Sequence, residues 1–226
     1  EILFPVFAEV STLKGVGPKV LPHVQKLAGP LVRDVLFLSP SGLIVRRPMT
    51  AVDAVEGQVG IFEIMIDRLI VPSRPGAPIK VRATDATGFV HLIWFGDSAQ
   101  HIDRLLPRLV SGKVERFNNE VQIVHPDIFT PEQAGDIPAV EPVYPATQGL
   151  TSRTIRKLVQ AALALAPDAP EWQDPAWLAK TRWPGWHAAL ERLHAPEAET
   201  DLEPDAPARQ RLAYDELFAH QLALAR

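Results

Sequence analysis

An α+β chain is predicted, in which a five-stranded OB-fold β-barrel is flanked by a helical section on each side. Three observations predict it. A run of β-branched and aromatic segments occupies residues 56–130. Helix-like apolar periodicity occupies the chain on both sides of it. A proline-rich stretch then separates the strands from the last helices.

The N-terminal helical section is expected over residues 1–55. Its first marker is Leu13-Lys-Gly-Val-Gly-Pro-Lys19, a sharp Gly-x-Gly hairpin. Pro18 suits the first turn of a helix running to about Leu27, where its missing N–H is not needed. Val32 to Leu38 reads as a second short helix, stopped by Ser39-Pro-Ser-Gly42.

The barrel is expected over residues 56–130. Val59 to Val71 has apolar residues on both faces, as a strand bent across a barrel requires. Ile79 to Thr84 and Phe89 to Phe95 follow, the second opened by the turn Asp85-Ala-Thr-Gly88. Ser98 to Leu106 is polar and helix-like. Leu109 to Arg116 and Val121 to His125 close the set, joined by Phe117-Asn-Asn-Glu120 as a hairpin turn. Five strands with a helix between the third and fourth is the order of an OB-fold, although other small barrels share the strand count.

Residues 131–150 form a Pro-rich connection expected to be extended and irregular. Residues 151–226 are expected to be a helical linker. Thr151 can cap its first helix, with Leu150 packing on Ile155 as a hydrophobic staple. Trp172, Trp177, Trp183 and Trp186 read as helix-packing anchors. Ala208 to Arg226 is a final helical run without a cap, as if leading into a partner domain.

Composition narrows the function classes. The 226 residues are 46% hydrophobic and 22% charged, which is ordinary for one or two globular domains. No apolar run reaches the length of a membrane span, and no basic secretory leader opens the sequence. The absence of cysteine excludes disulfides, thiolate metal sites and cysteine nucleophiles, and a cytoplasmic chain fits. The start lacks Met, so a trimmed chain is expected.

Net charge is −4, but its distribution matters more. Lys plus Arg against Asp plus Glu is 6 to 4 over residues 1–55, 8 to 9 over 56–130 and 9 to 14 over 131–226. The acidic excess lies in the last section, which leaves room for a local DNA-facing patch in the first 130 residues.

No phosphate-binding loop, nucleophile elbow or His-Glu-x-x-His site occurs, and the seven histidines include no i,i+4 pair. No cofactor, metal site or catalytic residue is expected in this chain. Two features carry binding chemistry. Trp94 and Phe95 are adjacent on a strand, so their side chains face opposite ways, and one of them can offer a face to an unpaired base. Both rings could instead be core. In the hairpin, Gly15 and Gly17 let backbone N–H groups approach a phosphate, with Lys14 and Lys19 adding charge. The same glycines could simply make a tight turn.

Taken in order, several motifs resemble one family. They are the 13–19 hairpin, Val32-Arg-Asp-Val-Leu-Phe37, Asp85-Ala-Thr-Gly88 with Trp94-Phe95, Gly112-Lys-Val-Glu-Arg116 and Gln122-Ile-Val-His-Pro126. Gly149-Leu-Thr151, Ala189-Leu-Glu-Arg-Leu-His194 and residues 208–217 complete the set. Together they resemble the N-terminal, wedge-containing region of RecG, the bacterial ATP-dependent helicase that remodels stalled forks and branched DNA in repair and recombination.

The resemblance implies that residues 56–130 are a wedge splitting the arms of a fork, with branched DNA and the chain's own helicase motor domains as partners. It implies a monomer, and it places Phe95 on an exposed base at the branch point. A second stacking aromatic, often found four residues later in the family, is Ala99 here, with Trp94 or His101 as substitutes. ATP, Mg²⁺ and their motifs would belong to a motor following residue 226, so this stretch alone is expected to hydrolyse no ATP.

Lys80, Arg82, Lys113 and Arg116 flank the predicted barrel face and are candidate phosphate contacts, or else ordinary solvated strand charges. Two rival classes stay open. One is a general single-stranded DNA or tRNA-binding OB module, which would prefer linear strands. The other is a protein-interaction scaffold using the acidic, Trp-rich tail.

Overall fold

The structure is a computed structural model that describes residues 2–70, 74, 76–95 and 107–225. It divides into two compact units, one spanning Ile44–Ala139 and the other combining Glu1–Leu43 with Val140–Arg226.

The first unit is a barrel. Its strands are β1 (Gly42–Pro48), β2 (Val59–Ile70), β3 (Ile79–Thr84), β4 (Phe89–Trp94), β5 (Arg108–Phe117), β6 (Glu120–Val124) and β7 (Asp127–Phe129). Antiparallel pairing links β2 to β3, β3 to β4, β6 to β5 and β5 back to β2, while β4 and β6 run parallel. The ring therefore closes on five strands and leaves no free edge among them.

Closure depends on β2 serving two neighbours. Residues 59–64 pair with β5 and residues 65–70 with β3, and the register shifts between Ile66 and Arg68. That irregularity at Asp67 bends the strand, as its two-faced apolar pattern predicts. At the other end of the β2–β5 ladder Gly60 lies opposite Gly112. A Cβ at Gly112 would collide with the Ile123 side chain, so glycine is required for this close approach.

Inward positions alternate along each strand. Phe62, Ile64, Val81, Leu92, Trp94, Val110, Val114 and Ile123 fill the interior. Asn118 and Asn119 both have positive φ, 51° and 65°, the backbone of the two-residue hairpin turn joining β5 to β6. The Asp85 turn is a hub. Its carboxylate accepts N–H bonds from Thr87 at 2.7 Å, Gly88 at 3.0 Å and Ala51 at 2.7 Å. Burial alone would raise the Asp85 pKa, but the bonds from Thr87, Ala51 and Gly88 outweigh it and hold the carboxyl below its usual range.

Two strands add to the ring. Residues 46–48 of β1, expected within a helical section, pair in parallel with the start of β2. Leu43, Ile44 and Val45 favour extended backbone more than the helical reading allowed. β7 extends β5 on its far side. The helix expected over Ser98 to Leu106 lies outside the described residues.

The second unit is mainly helical. It contains α1 (Leu21–Leu27), α2 (Val32–Leu36), β8 (Val140–Val143), α3 (Ser152–Leu163), α4 (Pro175–Thr181), α5 (Trp186–His194) and α6 (Pro207–Leu224). Helix α1 begins three residues after Pro18, because the Gly17 carbonyl first closes a turn onto the N–H groups of Val20 and Leu21. The proline-rich connection is less irregular than expected. Residues Pro131–Asp136 form a 3-10 turn in which the Gln133 side chain accepts from the Thr130 N–H.

Val10, Val35, Leu36, Ile155, Leu158, Val159, Leu190 and Leu193 form this unit's core. The Thr151 hydroxyl accepts from the Thr154 N–H at 3.2 Å and caps α3, with Leu150 and Ile155 both buried behind it. The four tryptophans pack as anchors. Trp177 and Trp183 surround Tyr214 of α6, and Trp172 lies 5.8 Å from Trp186.

Two buried polar groups hold the helices in register. The Arg211 guanidinium, wholly buried, donates to Asp215 at 2.7 Å and twice to Glu171 at 2.8 Å. His194 is held by the Leu36 carbonyl at 2.8 Å from Nε2 and the Tyr144 hydroxyl at 2.9 Å from Nδ1. A carbonyl only accepts, so Nε2 carries the proton and Nδ1 accepts from Tyr144. Burial lowers the His194 pKa and raises that of Tyr144.

Candidate nucleic-acid interface

Strand alternation decides the roles of the two adjacent rings. Val90, Leu92 and Trp94 point into the barrel, and Trp94 is 3% exposed. Phe95, one residue on, is 52% exposed at the end of β4. Trp94 was expected beside Phe95 as a DNA contact, and its burial corrects that expectation. A ring enclosed by the barrel core has no face to offer a base.

The outward side of β3 and β4 carries the charge. Lys80 and Arg82 alternate with the buried Val81 and Ala83, so both project outward. Lys80 pairs with Ile93 and Arg82 with His91. Lys80 therefore lies near the Phe95 end of β4 and Arg82 lies midway along it. Arg68 is the cross-strand partner of Arg82 on β2, which extends the positive stripe sideways.

Arg82 is only partly available for a phosphate. Its Nε and Nη2 both lie 2.6 Å from the Asp67 carboxylate, and its guanidinium stands 4.7 Å over the Phe89 ring. Phe89 is itself exposed, as is Phe117 in the β5–β6 hairpin. Residue pattern did not single out either as a candidate, because an aromatic at a strand end reads equally well as packing. Phe89 opens β4 and Phe95 follows its end, which separates them by about 20 Å at the rise of an extended strand.

The other two predicted phosphate contacts lie on β5. Lys113 is exposed and sits opposite Val59. Arg116 sits opposite Val121, at the end of the barrel away from Phe95, and its Nη2 donates to the Ala54 carbonyl at 2.9 Å. The outer face of β3 and β4 thus carries Lys80 toward the Phe95 end and Arg82, packed over Phe89, toward the other, and Arg116 lies beyond it on β5.

The Gly-x-Gly hairpin belongs to the helical unit. Gly15 has φ +98°, a conformation that side chains seldom adopt, and Lys14 and Lys19 are exposed beside it. Leu13 is buried in the helical core, so the hairpin is anchored from below while its lysines face solvent. Among the described residues there is no cluster of three or more His, Asp or Glu suited to a metal ion. Among them, too, no helix is long and apolar enough to cross a membrane.

A scan of family models finds no match. Whole-chain comparison finds curated relatives. The chain is 28% identical over 233 residues to the ATP-dependent DNA helicase RecG of Acidithiobacillus ferridurans, covering 97% of this chain and 32% of that protein. It is 27% identical over 230 residues to RecG of Escherichia coli K12, covering 95% of this chain and 33% of that one. It therefore spans about a third of the length of these relatives. Among solved structures, a RecG bound to a three-way DNA junction matches with a TM-score of 0.75 at 23% identity, over 96% of this chain and 30% of the other. The chain is thus similar, over nearly its whole length, to the N-terminal wedge region of RecG, as its ordered motifs imply.

Proposed function

We propose that this chain is the DNA-binding wedge region of a replication-fork-remodelling helicase. It binds branched DNA, such as forks and Holliday-like junctions, and splits the arms. The observation that carries this reading is the half-exposed Phe95 on a closed barrel, beside Lys80 and on the same outward face as Arg82. The likeness to RecG supplies the context.

The mechanism is steric and electrostatic. A closed barrel has no strand edge to yield, so it can stand rigidly where two arms part. Once the terminal pair opens, Phe95 takes the face of the unstacked base, which offsets part of the cost of opening. Lys80 and Arg82 steer the adjoining backbone, and each phosphate they neutralise releases condensed counterions. Arg116, at the other end of the barrel, would meet a more distant phosphate, and Lys113 and the Lys14–Lys19 hairpin offer further basic contacts. ATP and Mg²⁺ would act in the motor domains of the full-length chain, which would work as a cytoplasmic monomer.

The test compares fluorescently labelled forks, three-way junctions and linear single strands of equal length by anisotropy, at low and raised salt. The fork or junction should bind more tightly than the single strand, with affinity falling steeply as salt rises. Equal or tighter binding of the linear strand would favour a general single-strand OB module. No binding of any DNA at low salt would favour a protein-interaction scaffold.

A further inference from the structure

Phe95 does not stand alone. The ring of His125 lies 5.9 Å from it, centroid to centroid, at an angle of 51°. His125 is exposed and follows directly after β6, the parallel neighbour of β4. Its own N–H donates to the Ile93 carbonyl at 2.8 Å, which clamps the end of β6 to the end of β4. The two rings are therefore brought together by the parallel ladder and are 30 residues apart in sequence.

The backbone at His125 is unusual on two counts. Its φ is +48°, in the left-handed region that residues other than glycine seldom occupy. It also precedes Pro126, and the residue before a proline normally stays extended. Such a conformation is strained and persists where the surroundings hold it, often beside a functional group. The interior gains nothing from the ring, because His125 is outside the barrel core. Its ring packs against that of Phe95.

We infer that His125 is a positioning residue for Phe95, buttressing one side of its ring so that the other face meets the base; this rests on the stacking role proposed above. A two-sided clamp does not fit the geometry. Enclosing a base needs ring planes roughly 7 Å apart and parallel, twice the base-stacking rise of roughly 3.4 Å. The two rings are closer than that and steeply tilted. The tilted packing instead suits an edge-to-face contact that restrains the Phe95 rotamer. Less rotamer freedom is then lost when the base arrives, which improves affinity without a new contact to DNA.

The test is a double-mutant cycle on the full 226-residue chain. A fork carrying 2-aminopurine at the branch point serves as probe, with melting temperature recorded for every variant. Asparagine tolerates the left-handed backbone but has no ring, so His125→Asn removes the buttress without new strain. It should weaken fork binding about fivefold and reduce 2-aminopurine quenching while leaving the melting temperature unchanged. In a Phe95→Ala background His125→Asn should change nothing further, since the group it positions is gone.

Two results would overturn the inference while leaving the stacking role of Phe95 standing. One is that His125→Asn leaves affinity and quenching unchanged although Phe95→Ala weakens them. The other is that the two substitutions weaken binding additively. Unchanged fork binding by Phe95→Ala removes the buttress and the stacking role together.

Discussion

Trp94 and Phe95 are consecutive in the chain and opposite in role: the first is sealed in the barrel at 3% exposure and the second stands half in solvent at 52%. The pleat of β4 sends them to opposite faces, so one dipeptide serves both packing and recognition.

Substituting each ring should separate the two roles. Phe95→Ala should weaken fork binding by about 1–3 kcal/mol, the range for one base–aromatic stack, with little change in melting temperature. Trp94→Ala should instead destabilise the barrel by about 3–5 kcal/mol through the cavity it leaves. Chemical denaturation and anisotropy on both variants decide it. A Phe95→Ala chain that melts much lower yet binds normally when folded would return Phe95 to the core.

Lys80 and Arg116 should differ in their electrostatics. Lys80→Ala should lower the slope of log affinity against log salt by about 1, the signature of one lost phosphate contact. Arg116 already donates to the Ala54 carbonyl at the opposite end of the barrel. Its loss should change that slope less for a fork engaged at Phe95. Salt titrations of the two variants side by side would expose equal slopes if this placement of the DNA were wrong.

His194 gives the helical unit a pH dependence. Its folded pKa lies below the unfolded value of 6.5, chiefly through burial. Between the two values the unfolded chain binds more protons than the native one, so stability is full above about 6.5 and is lost as pH falls toward the folded pKa. The slope in that window cannot exceed about 1.4 kcal/mol per pH unit for this one group. Melting curves from pH 7.5 down to 5 should show it, and His194→Gln should flatten that part of the profile.

Breaking the ion network of the second unit should be costly. Arg211→Ala leaves Glu171 and Asp215 without their shared cation, and losing one partner of a buried pair costs about 3–5 kcal/mol. Removing Glu171 instead should cost less, since Asp215 still holds the guanidinium and Glu171 is partly exposed. Denaturant midpoints of Arg211→Ala and Glu171→Gln should rank in that order.

Much of this architecture was legible in the residues themselves, because local physics encodes it. The alternation of Val81, Ala83, Val90 and Leu92 with polar neighbours marks strands, the two asparagines at 118 and 119 mark a tight hairpin, and Thr151 marks a helix start. The order of these signals sufficed for a five-stranded barrel between helical sections. Pattern also showed that Trp94 and Phe95 must face opposite ways.

Which of the two faced inward was not local information. It depends on which side of β4 the closed ring encloses, and that is set by β2 bending to pair with both β3 and β5. The same is true of β1, whose extended form is completed by a parallel partner beginning at Val59. His125 carries no local mark of a site, for its neighbour Phe95 is 30 residues away in sequence and 5.9 Å away in space. Period and propensity report how a segment meets a generic core. The pairing of distant strands decides which side chains share a site, and only tertiary structure holds that pairing.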